Sequence, residues 1–113
     1  TLSAMSMGCH AVCVEPNRAA IPAILRSAVL NRFASSLVVI HAAAGEVFLP
    51  AVGLWHPARR PSQAGVREAC LSPPCVAMVR VGDFVTQRPG ILKVDVEGFE
   101  REAVGGLVRM LER

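Results

Sequence analysis

An apolar run that closes abruptly in carboxylates and a glycine constrains this chain more than any other feature. In Ile91-Leu92-Lys93-Val94-Asp95-Val96-Glu97-Gly98-Phe99-Glu100 the first six positions carry four aliphatic side chains, and three acids surround the end. Such a run reads as a buried strand over Ile91–Val96. Behind it Phe99, Val104, Leu107, Val108 and Leu111 recur at helical spacing, which predicts a helix over about 99–112. Strand, tight turn and helix in that order belong to an open α/β sheet, where ligands are handled at the carboxyl ends of strands. Asp95 and Glu97 stand at such an end. A purely structural account competes: Glu97 and Glu100 also suit a helix first turn, where an acid offsets the dipole by ~0.3–1 kcal/mol.

The design occurs twice. Val12-Cys13-Val14-Glu15-Pro16-Asn17 is a second apolar run ended by an acid and followed by a helical stretch. A carboxylate after the second strand is how doubly wound nucleotide-binding folds hold two ribose hydroxyls, each donating to one oxygen. Glu15 has the right place for that role. Pro16 pushes Glu15 into extended geometry and ends the strand, and Asn17 can turn the chain or cap the next helix.

Between these motifs the chain alternates strand and helix. Thr1 to Met7 reads as a helix end stopped by Gly8, and His10–Glu15 as a strand. Ile21, Ile24, Leu25, Ala28 and Arg32 trace a helix over about 20–31, with Pro22 confined to its first turn. Leu37–His41 is the next parallel strand, so a βαβ unit is predicted. Five prolines, Pro50, Pro57, Pro61, Pro73 and Pro74, then fall within 25 residues, which argues against long regular elements from 50 to 74. Val76–Val85 alternates partly and is expected to pair antiparallel with Val47–Leu49, leaving Asp83 near its end as a turn former or a site acid. With Ile91–Val96 alongside the two earlier strands, the expected architecture is one mostly parallel sheet.

Composition removes several function classes. Hydrophobic residues make 52% and charged residues 19% of 113, far from the profile of disorder, and one domain is the ceiling. The net charge of +3 is scattered and aromatics are 4%, which supports neither a nucleic-acid footprint nor stacking platforms. No apolar run approaches the ~18 residues of a membrane span. Cys9, Cys13, Cys70 and Cys75 lack zinc spacing; Cys9 and Cys13 are expected on one face of a buried strand as small hydrophobes, and a reducing cytosol is the default compartment. His10, His41 and His56 pair with no nucleophile or ligand set, and Arg59, Arg60 and Trp55 read as loop and core-edge residues.

Taken together, Cys13-Val14-Glu15-Pro16-Asn17, Asn31 after a helix, Val38 to Gly45 as strand and exit, and Leu92-Lys93-Val94-Asp95-Val96-Glu97-Gly98-Phe99-Glu100 with Gly106 beyond resemble the FkbM family of methyltransferases in order and spacing. The resemblance spans roughly 8–111 and is weakest from Pro50 to Pro74. It implies a Rossmann-like class I methyltransferase fold, S-adenosylmethionine as methyl donor, and transfer to a hydroxyl of a small-molecule or glycan acceptor. It further implies that Glu15 and Asn17 meet the donor's ribose side, that the small residues Ala42 and Ala43 let the backbone pass under its adenine, and that Asp95 and Glu97 serve transfer and the acceptor pocket. Family members open their cofactor site with an acidic, glycine-rich turn after a first strand. None stands in these 113 residues, so the chain is expected to be one partial domain, lacking its first and last strands, with an insertion at 50–74, and inactive alone. Two other readings stay open. A Rossmann-like module that binds without catalysis is favoured by the missing turn, and a nucleotide-dependent dehydrogenase would want the acid after the second strand but also a Gly-x-Gly-x-x-Gly turn that is absent.

Overall fold

The computed structural model describes residues 1–55, 65–67, 70–85 and 87–112; His56, Arg59 and Arg60 lie outside them, as does the side chain of Trp55. Two compact units divide the chain, Thr1–His41 and Ala42–Arg113.

In the first unit the short helix α1 (Leu2–Met5) precedes β1 (Ala11–Val14), α2 (Ile21–Leu30) and β2 (Leu37–Ile40). The two strands pair in parallel, Ala11 opposite Leu37 through Val14 opposite Ile40, and Glu15 extends the ladder by donating its amide to the Ile40 carbonyl at 3.0 Å. The βαβ unit therefore forms as the alternation of β-branched runs and helical spacing predicts. Pro22 sits in the first turn of α2, where its missing N–H costs no helix bond. Ala28 is buried and Ile21 and Ile24 are half-buried along one stripe, while Leu25, expected in that stripe, is exposed. Asn31 closes the helix, its side-chain amide donating to the Ser27 carbonyl at 2.7 Å. Cys9 lies exposed ahead of β1, so it does not share a strand face with Cys13.

The second unit is built on a four-stranded sheet, in the order β3 (Ala43–Ala44), β6 (Cys75–Val79), β4 (Leu49–Trp55), β5 (Gly65–Arg67). β3 runs parallel to β6, and β4 antiparallel to both β6 and β5. The expected antiparallel pairing appears as Leu49 opposite Met78, but it continues to Gly53 opposite Cys75. A seven-residue strand thus passes through Pro50, against the expectation that the prolines exclude long elements. The ladder slips register between Leu49 and Val52, and at such an irregularity a residue without an N–H gives up no ladder bond. Ala43, Val52, Val76 and Met78 form the core, with Leu49, Leu54, Val66 and Phe99 packed against it.

Three further expectations fail here. In place of one mostly parallel sheet the described strands form two sheets, and in this one two of the three pairings are antiparallel. The connection from β4 to β5 is shorter than the roughly dozen residues a parallel crossover needs, so the two strands pair antiparallel. Ile91–Val96 forms no strand: it joins no ladder, and Ile91 and Leu92 are 62% and 46% exposed. A strand is a paired object, and among the described residues no neighbour offers its backbone to this run. The helix over 99–112 is split into α3 (Glu100–Gly105) and α4 (Val108–Leu111). The break falls at Gly105-Gly106, because Gly106 rests on the Gly45 carbonyl where a Cβ would collide, and the Glu46 side chain lies over Gly105. Gly82 donates its amide to the Gly106 carbonyl at 3.2 Å, taking up an acceptor that a continuous helix would use internally. The buried stripe is Ala103, Leu107 and Met110; Val104, Val108 and Leu111, expected inside, face water.

Candidate functional site

Glu15 and Asn17 stand at the carboxyl end of β1, held there by the ladder bond and by local chemistry. One oxygen of the half-buried Glu15 carboxylate, Oε1, accepts the Asn17 amide at 2.7 Å. Asn17 in turn accepts the Ala19 amide on Oδ1 at 3.0 Å, and its carbonyl accepts the Ala20 amide, so the asparagine makes the turn into α2. The residue that precedes the helix proper is Ala20, without a side-chain cap. Among the described residues Oε2 of Glu15 receives no hydrogen bond, which leaves one acceptor atom at the strand end with no partner. His41 Nε2 lies 3.2 Å from the Pro16 carbonyl and anchors the same corner.

In the other unit Ala42 and Ala43 are both buried, and Ala43 is opposite Met78 in the β3–β6 ladder. Their methyl groups belong to the core, so what they can present to a ligand is main chain. Nearby Gly45 donates to the Val79 carbonyl at 3.0 Å, and a Cβ there would strike the Met78 side chain.

Asp95 and Glu97 lie on the unpaired segment and its turn. Asp95 is exposed and ion-paired with Lys93, an i, i+2 contact that alternation along an extended backbone makes. The Lys93 hydrogen bond and charge hold the Asp95 carboxyl below the ordinary carboxylate range. That keeps it ionised at neutral pH and lowers its basicity. Glu97 adopts φ +48°, followed by Gly98 at +91°. Glycine takes this region at no steric cost, whereas Glu97 is an uncommon non-glycine occupant. It precedes α3 rather than joining its first turn. Glu100 does join that turn and bends back, Oε1 accepting the Gly98 amide at 3.0 Å, which lowers its pKa first through that bond and second through its own backbone amide. The residues alone showed the acid and the glycine but not this link, whose sign was an acid two positions after the glycine. Asp83, the other candidate acid of the region, is ion-paired with Arg80 at 2.9 Å in the short 3-10 turn Val81–Asp83.

The six candidate residues therefore fall in two units: Glu15 and Asn17 in one, Ala42, Ala43, Asp95 and Glu97 in the other. No model of a known protein family matches the chain, and no curated protein does. Among solved structures it is similar to the crystal structure of the methyltransferase FkbM from Methylobacillus flagellatus KT, at 22% identity and a TM-score of 0.55. That match covers 87% of this chain and 22% of the other, so the chain spans less than a quarter of that protein's length. What is common at this identity is the fold: the chain is a mixed α/β protein with parallel strands and a methyltransferase-like path.

Proposed function

We propose that this chain carries part of an S-adenosylmethionine-dependent methyltransferase of the FkbM kind, one partial domain with an insertion at 50–74, which methylates a hydroxyl oxygen of a sugar or secondary metabolite and does not turn over as this piece alone. The observation that carries the reading is the strand-end carboxylate of Glu15, fixed through one oxygen by the Asn17 amide with the other unengaged among the described residues, in a methyltransferase-like fold. A carboxylate so held fits a ribose diol, since it needs only to accept.

Glu15 would accept from the ribose hydroxyls, Asn17 would hold Glu15 in place through its amide, and the main chain at Ala42 and Ala43 would lie against the adenine. S-adenosylmethionine supplies a methyl group on a sulfonium sulfur, open to in-line displacement by an oxygen nucleophile. Asp95 would take the proton from the acceptor hydroxyl, with Glu97 shaping the acceptor's pocket. The second reading, a Rossmann-like module that binds without catalysis, is favoured by one specific observation: Asp95 is already engaged by Lys93 and exposed, which makes it a poor base.

One pair of variants separates these readings, made in the chain and, where the gene extends it, in the full product. Glu15→Ala should weaken donor binding by ~1–3 kcal/mol, roughly tenfold to a hundredfold, by titration calorimetry. Asp95→Asn should lower single-turnover methylation far more than donor affinity. Unchanged affinity in Glu15→Ala removes the ribose assignment; wild-type turnover in Asp95→Asn removes Asp95 from the chemistry and leaves it a partner of Lys93.

A further inference from the structure

Cys70 and Cys75 are joined in a disulfide, their Cα atoms 5.7 Å apart across a five-residue separation. Nothing in the methyl-transfer reading uses this pair. Its position, however, is tied to the sheet. Cys75 is the first residue of β6 and lies opposite Gly53 in β4. One residue earlier, the Pro74 carbonyl accepts the Leu54 amide at 2.9 Å, so the ladder between β4 and β6 runs on into the loop that the disulfide closes. The loop residues Leu71, Ser72, Pro73 and Pro74 are all exposed, Leu71 at 89%. The disulfide thus closes a loop whose last residue, Pro74, carries the terminal hydrogen bond of the β4–β6 ladder.

We propose that Cys70–Cys75 is a redox latch on the β4–β6 ladder, closed in an oxidising compartment and opened by thiol reductants. In closing, the two thiols lose two hydrogens as two protons and two electrons to a small-molecule disulfide such as oxidised glutathione. The Sγ–Sγ bond forms through a mixed disulfide, and two glutathione thiols are released. Opening is the reverse exchange. Disulfides persist in oxidising compartments, so the latch assigns the chain there rather than to the reducing cytosol taken as the default. The remaining cysteines, Cys9 and Cys13, are free thiols and provide an internal reference.

The test uses the full 113-residue chain equilibrated in glutathione buffers of oxidising and reducing ratio, quenched with acid and alkylated in denaturant with N-ethylmaleimide. From the oxidising buffer the tryptic peptide running from residue 68 to Arg80, which contains both cysteines, should lack any adduct and be lighter by two hydrogens than its reduced form. Cys9 and Cys13 should carry the label from the reducing buffer and, from the oxidising one, either the label or a glutathione adduct, which the Cys70–Cys75 peptide lacks. Amide exchange read in parallel should be faster by about tenfold at Leu54 after reduction, while Glu15, whose amide is bonded to Ile40 in the other unit, should not change. Cys70→Ser should reproduce the reduced behaviour at Leu54; reductant titration of the wild type gives the same readout should that variant misfold. Labelling of both Cys70 and Cys75 from the oxidising buffer overturns the proposal, as does a Leu54 rate that ignores the redox state, or an equal acceleration at Glu15, which would mean general unfolding in place of a local latch.

Discussion

Leu37–Ile40 and Ile91–Val96 are both short aliphatic runs, yet one is a strand and the other is not. Leu37-Val38-Val39-Ile40 has a parallel neighbour in β1, supplied by the same βαβ unit a helix away. Ile91–Val96 has a comparable appetite for a sheet but no described neighbour, and its first two side chains face water. Aliphatic character states what a segment would gain on burial; only a partner backbone lets it collect that gain while keeping its amides and carbonyls hydrogen-bonded. The difference reaches the candidate site. Glu15 is anchored by a ladder bond to Ile40, whereas Asp95 and Glu97 are placed by an ion pair and a turn that local residues make among themselves.

The contrast is broken most directly by hydrogen exchange. The Glu15 amide and the inward amides of β2 should exchange at least about a hundredfold more slowly than those of 91–96, read by NMR. Equal rates would mean either that the β1–β2 ladder does not persist or that the later run has found a partner. A smaller effect is expected from proline. Ile40 turns its carbonyl, and so its amide, towards β1, and by alternation along the strand Val38 does likewise. Val38 is 56% exposed, so Val38→Pro mainly deletes a ladder donor and should cost ~1–3 kcal/mol in denaturant unfolding. Leu92→Pro, in the run without a ladder, should stay within ~0.5 kcal/mol.

The smallest effect concerns pH. Asp95 and Glu100 have folded pKa values depressed below 3.8 and 4.5, so their contributions are present above those values and fade as the pH falls through the lower folded ones. Both groups are fully exposed, so the contribution is slight and salt-screened. Lys93→Ala should bring the Asp95 titration, followed by carboxyl NMR, back up towards its ordinary value while Glu100, held first by the Gly98 amide, keeps its depression. A rise at Glu100 of the same size would show that Lys93 acts on the whole turn.

Much of the first unit was legible in the residues because its signals are local. Pro16 ends a strand, Pro22 opens a helix, and Asn31 closes it, each through geometry confined to a few neighbours. The acid at the strand end was legible for the same reason. Less legible was the second unit. Pro50 looked like a breaker and is instead absorbed by a register slip, and the run read as one helix over 99–112 divides at Gly105-Gly106, since the pair packs on Gly45 and Glu46 far back in the chain. The buried face differs by one position: Ala103 and Met110 are inside while Val104 and Val108 are not, because apolar residues stand on both sides of these helices and the surfaces that meet them decide which side is covered.

Sequence by itself determined where the chain turns, which segments are apolar, where acids follow them, and that β1, α2 and β2 make a parallel unit; each rests on steric or periodic preferences that a residue carries with it. Tertiary structure decided which apolar runs become strands, which glycines are contacts, and that Cys75 meets Cys70 at the head of a ladder. Those outcomes depend on distance to a partner, and no residue encodes its partner's position alone.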